Sequence, residues 1–271
     1  MIVGVFFYKV LIYTYSMSSI VARNKSKLIY NQPPILEAVI AVYFSHPIVS
    51  NDLIKKEKRL KKNYDLSDIQ SNVTIQVKGD SSLEPKFTKG PEQKGFRLLS
   101  TDMTKSLQIW PGMFLISQRS PYVGWDFFKE RFFRDWNIFF KSNESKEISQ
   151  IGMRYINRID VPVKNGAEAI KPEDFLTINP SFPNSLSQIK NFSIQSVVEL
   201  ADIGSQLKLS SQSVPSPILG YSSLLLDIDI IKNQDLPKSQ KALNAYLDIA
   251  RVKKNEIFEM CITDMSRNLF K

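Results

Sequence analysis

Apolar and polar positions alternate with a period of two over several stretches and recur every three or four residues over others, a pattern that predicts mixed strands and helices. Ile35 to Phe44 is an apolar, β-branched run that follows Pro33-Pro34 and is closed by His46-Pro47, so it reads as a strand with a defined start. Ser50 or Asn51 then caps a helix reaching about Tyr64, with Leu53, Leu60 and Tyr64 on one face and its lysines toward water. Extended runs follow near 72–79, 94–101 and 106–119. Trp125, Phe128, Phe132, Trp136 and Phe139 then mark an aromatic stripe on a second helix.

The same order returns in the remainder of the chain. A strand over 149–163 precedes a short helix near 172–178 and strands near 189–201, 204–213 and 219–232. A long helix opens at Asp235 and Pro237, and its stripe is Leu243, Leu247, Ala250, Phe258, Cys261, Met265 and Leu269. The expected fold is α+β: duplicated βαβββα units forming a mainly antiparallel sheet, with two long helices packed on one face. Residues 31–148 make the first half and 149–271 the second, joined into one compact domain, after an N-terminal extension at 1–30. Within that extension, residues 1–16 are mostly apolar. They lack the basic lead of a signal peptide and the length of a spanning helix, so Met17 is the expected initiator and no stable membrane insertion is expected.

Four blocks, Pro33-Pro-Ile-Leu-Glu-Ala-Val39, Tyr122-Val-Gly-Trp125, Arg154-Tyr-Ile-Asn-Arg-Ile159 and Phe258-Glu-Met-Cys-Ile-Thr-Asp264, resemble in order those of an uncharacterised prokaryotic family of comparable length. The family is distributed sporadically among bacteria and archaea and has no established activity. The resemblance therefore implies no catalytic residues, and the patchy distribution points only toward mobile-element or defence loci.

Composition narrows the chemistry. A single cysteine, Cys261, excludes an intrachain disulfide and fits a cytoplasmic protein. With a single histidine as well, His46, the common His and Cys metal clusters are excluded, and no metal or cofactor is expected. Gly90-Pro-Glu-Gln-Lys-Gly95 has the glycine spacing of a phosphate loop but continues Phe96-Arg97, so it reads as a turn. No nucleophile with a base is visible, and the catalytic set is empty.

Charge offers two candidate surfaces. The formal net charge is +9, much of it near Arg23 to Lys27 and in Lys55, Lys56, Lys58, Arg59, Lys61 and Lys62. That second cluster is the candidate contact for nucleic acid. The other candidate lies on strands. Alternation sends Arg154, Arg158 and Asp160 to one side of theirs, and Asp227 and Asp229 to one side of another. Arg–Asp pairing across the sheet, a Mg²⁺ site and a partner site are the alternatives for these groups. Asn157, Tyr122 and Trp125 join them as candidate binding residues. A sheet face carrying both signs suits a protein better than a phosphate backbone. The leading expectation is thus a non-enzymatic interaction protein that binds a partner polypeptide through the open sheet face or a dimer interface, a homodimer being one form of the latter. A nucleic-acid-binding module stands second and a metal-dependent enzyme of unfamiliar type third.

Overall fold

The computed structural model describes residues 30–78, 86–140, 147–163, 170–181 and 191–271, so the apolar segment 1–16 and Met17 lie outside the described residues. The first half runs β1 (Ile35–Phe44), α1 (Ser50–Leu60), β2 (Leu66–Lys78), β3 (Lys86–Leu99), β4 (Lys105–Trp110), β5 (Met113–Arg119) and α2 (Trp125–Phe139). The second runs β6 (Ile148–Pro162), a 3-10 turn at Pro172–Asp174, β7 (Ser193–Leu200), β8 (Ser205–Val214), β9 (Tyr221–Lys232), α3 (Gln240–Cys261) and α4 (Asp264–Leu269). The chain is therefore mixed helix and strand around a large antiparallel sheet, whose nine strands lie in the order β2-β3-β4-β5-β1-β6-β9-β8-β7.

The two strands with the cleanest apolar alternation, β1 and β6, sit side by side at the middle of this sheet, Ile40 opposite Met153. Residues opposite one another in a ladder share a face, so the register Leu107, Ile116, Ile40, Met153, Ile230, Leu207 draws one apolar line across six strands. All six are buried. Phe114, on the same face, meets Phe132, Trp136 and Phe139 of α2 at centroid distances of 5.8, 5.4 and 5.1 Å. Each such buried aromatic contributes about 2–3 kcal/mol of transfer free energy, which is why α2 holds its place without a side-chain cap at Gly124. Farther along that face, the Lys254 amine of α3 lies 4.1 Å from the Tyr155 ring centroid, and Tyr246 of α3 bonds Ser205 of β8 at 3.1 Å.

Polar groups pin α1 and α2 from within. Asp135, fully buried, accepts from the Tyr64 hydroxyl at 2.6 Å and from Arg134 at 2.9 Å. Arg131 donates to the carbonyls of Ser106 and Ser117. Helix and sheet are thereby joined through strand carbonyls, whose second lone pair accepts the guanidinium.

Several local expectations need correction. The run 106–119 is a hairpin of two strands, because Pro111-Gly112 breaks the ladder. Four strands therefore follow the first helix, whereas three follow the 3-10 turn that stands where a helix near 172–178 was expected. Gly90 to Gly95 is no turn but part of β3: Gly90 and Pro91 form a bulge between the pairs Val73–Glu92 and Ile75–Lys89, a position that tolerates a proline with no amide hydrogen. Neither Ser50 nor Asn51 caps α1, whose N-cap is Val49. The last helix starts later, where the Ser239 hydroxyl accepts from the Ala242 amide, and it ends at Cys261; Thr263 caps a separate α4.

Candidate functional site

The sheet side opposite the apolar line carries the charged residues. On it, register places Val39, Arg154, Asp229, Lys208 and Val197 in one row and Glu37, Ile156, Asp227, Ser210 and Gln195 in the next. Arg154 stands opposite Asp229 but leans to Asp227, giving Nε–Oδ1 at 2.9 Å and Nη2–Oδ2 at 2.5 Å. This planar two-bond geometry fixes the guanidinium plane. Asp229 is left over the bare backbone of Gly152, where an added Cβ would stand 3.8 Å from its Oδ1. Burial raises the Asp229 pKa, and Asp227 adds to the rise, while Arg154 and Lys208 oppose it.

Beside Gly152 the next small residue is Ala41, so the floor is shallow here, and a less polar row borders it: Trp110, Met113, Tyr43 and Gln150. Trp110 lies flat on Gly95, since a Cβ at that glycine would be 2.4 Å from the indole. Burial raises the Tyr43 hydroxyl pKa, and the Asp229 charge raises it further. The site is a floor of Gly152 and Ala41, bordered by the Trp110, Met113 and Tyr43 row on one side and by fixed charges on the other.

Each of the four arginines on this face already has a carboxylate within 4 Å. Arg97 meets Asp68 at 2.7 Å, Arg119 meets Glu37 at 3.9 Å, Arg154 meets Asp227, and Arg158 meets Asp160 at 3.0 Å. Asp160 also accepts the Ser223 hydroxyl at 2.5 Å. Arg158 and Asp160 line a cavity of about 410 Å³ at the end of β6, together with Pro33, Pro34, Tyr221 and Phe270.

The other expected site residues separate. Asn157 is buried on the opposite, apolar side, where its amide donates to the Leu226 carbonyl at 3.1 Å. Tyr122 bonds the buried Tyr155 hydroxyl at 3.0 Å, and burial pushes the Tyr122 pKa up to about 12. Trp125 is 8% exposed and donates its indole N–H to Asp248 at 2.9 Å, so it fastens α2 to α3 and presents no open ring. In the basic cluster Lys55, Lys58, Lys61 and Lys62 are exposed and Arg59 is half-buried. Lys56 departs from that surface: it is 2% exposed, donates to the Phe139 carbonyl at 2.6 Å and lies over the Phe139 and Phe140 rings. Its place in the stripe Leu53, Lys56, Leu60 carries it inward. Tyr43 and Trp110 were not anticipated as site residues, although β1 alternation puts Tyr43 on the side away from Ile40 and Val42.

Among the described residues no three His, Cys, Asp or Glu side chains cluster to hold a metal, and no helix is long and apolar enough to cross a membrane. The sequence matches no family profile and no curated protein.

Proposed function

We infer that this chain is a non-enzymatic interaction protein whose charged sheet face binds a partner polypeptide. The observation that carries the reading is the balanced charge of that face: each of its four arginines has a carboxylate within 4 Å, and Lys208 stands opposite Asp229. A phosphate backbone gains affinity from cations that lack an anionic partner, and these four have one. A polypeptide gains register from fixed charges of both signs and area from the adjoining Trp110, Met113 and Tyr43 row. The finer fold reading belongs with this one. Two βα-type units, each opening with a central strand, meet at β1 and β6, and the long helices α2 and α3 cover the other side. Contacts of α2 with Phe114 and of α3 with Tyr155 and Ser205 support that arrangement, as does the place of β1 beside β6.

The test is affinity purification of the tagged full chain from its native host, with nucleic acid digested in half the lysate and Arg154→Glu run in parallel. The expected result is a stoichiometric protein that survives digestion and is lost with Arg154→Glu. Failure to recover such a protein overturns the reading. A second reading rests on the exposed Lys55, Lys58, Lys61 and Lys62, of which, among the described residues, only Lys55 has an ion-pair partner, Asp52 at 3.5 Å. If these lysines contact nucleic acid, binding weakens steeply with salt, and charge reversal at Lys58 and Lys62 flattens that slope.

A further inference from the structure

The sheet ends at β7, and among the described residues no strand pairs with the outer edge of β7. Sheet edges are usually blunted by lysine, proline, a bulge or a covering helix. Ser193-Ile-Gln-Ser-Val-Val-Glu-Leu200 has no lysine and no proline, and its single charge is Glu199. It pairs with β8 at eight successive positions without a register shift. At the opposite edge, β2 runs beside the Gly90-Pro91 bulge of β3, which bends that ribbon. The core reaches only the end of β7, where Leu200 packs against it. Val198, on the helix side of the strand, is 45% exposed, and Val197, on the other side, is 55% exposed. Among the described residues the edge is free of bulges, half apolar and unpaired.

We propose that β7 is a dimerisation edge, pairing antiparallel with β7 of a second copy about a two-fold axis at Val197. The occupant is read from self-complementarity. With Val197 opposite its own copy, each Gln195 amide meets Glu199 of the partner chain, Ile194 meets Leu200 and Ser196 meets Val198. Residues of one parity then stay on one face, so the apolar and charged sides both continue across the axis. The two glutamates fall on opposite sides of the axis and do not meet. Glu199 already accepts from Gln206 at 2.9 Å through Oε1, which holds the carboxylate in place while Oε2 remains for Gln195. A strand pair of this length buries less than the roughly 1,600 Å² of a standard interface, so a reversible association that responds to concentration is expected. This inference does not depend on the proposed role of the sheet face.

Sedimentation of the full chain across a wide concentration range tests it, with cysteine variants to read the register. The chain sediments as a monomer–dimer equilibrium, and Val197→Lys, which sets two like charges at the axis, weakens it at least tenfold. Val197→Cys cross-links readily under oxidising conditions. Ser193→Cys does not, because its two copies lie about 27 Å apart at 3.4 Å per residue. Far-UV dichroism of each variant confirms an intact fold. A chain that stays monomeric throughout overturns the proposal, as does a dimer indifferent to Val197→Lys or a Ser193→Cys cross-link as fast as that of Val197→Cys.

Discussion

Replacing Lys254 with methionine isolates the cost of one buried amine. Lys254 is 8% exposed on α3, above the Tyr155 ring, and its pKa falls from the ordinary 10.5 to about 7, through burial first and the Arg251 charge second, with Glu259 opposing. The contact with Tyr155 favours the charged amine by up to about 2 kcal/mol, less than the burial cost. Between the two pKa values the unfolded chain holds a proton that the folded chain has released, so stability rises with pH. The amine costs about 4 kcal/mol at pH 7 and about 2 kcal/mol at pH 9, a recovery of about 2 kcal/mol. Urea unfolding of the native chain and Lys254→Met at pH 7, 8 and 9 measures this. The variant is expected to be the more stable at pH 7, by a margin that shrinks as pH rises. Cys261, whose thiol burial raises to about 11, acts in the opposite sense but equally in both proteins, and so cancels. A stability difference unchanged between pH 7 and pH 9 would refute the reasoning, since Lys254 would then not titrate there.

Asp135→Ala is expected to cost about 3 kcal/mol in urea unfolding, because the buried Tyr64 hydroxyl loses its acceptor and Arg134 its ion-pair partner. Gly95→Ala drives a Cβ into Trp110; a loss of about 1–3 kcal/mol with a shift in tryptophan emission is expected, and unaltered emission would show that the indole does not rest there. Arg154→Ala, with its side chain about half exposed, is expected to change stability by less than about 1 kcal/mol while abolishing partner capture. A large stability loss would instead make the Asp227 pair structural.

Strands were legible wherever alternation was strong. β1, β6 and β9 bury alternate side chains over much of their length, and period two states both their existence and their faces. The aromatic stripe of α2 was equally plain. Less legible were features that override a continuous apolar pattern. The hairpin at Pro111-Gly112 lies inside an unbroken apolar run, and the stripe of α3 continues through Met265 although Thr263 restarts the helix. Asn157 could have been assigned to the buried side from its parity with Tyr155 and Ile159. Lys56 could likewise have been placed inward from its spacing to Leu53 and Leu60. The floor at Ala41 and Gly152 and the row through Tyr43 and Trp110 were beyond reach, since they depend on which strands are neighbours and in what register.

The seam between β1 and β6 joins residues more than a hundred positions apart, Ile35 facing Asn157. During synthesis at about 5–20 residues per second, β1 acquires β5 only after about 75 further residues and then waits about 2–9 s more for β6, which ends about 40 residues beyond β5. Throughout that interval the nascent chain holds its most apolar strand with one ladder edge vacant. Such a chain is expected to depend on a holding chaperone as it emerges from the ribosome, and to gain from slow, ordered release rather than rapid overproduction.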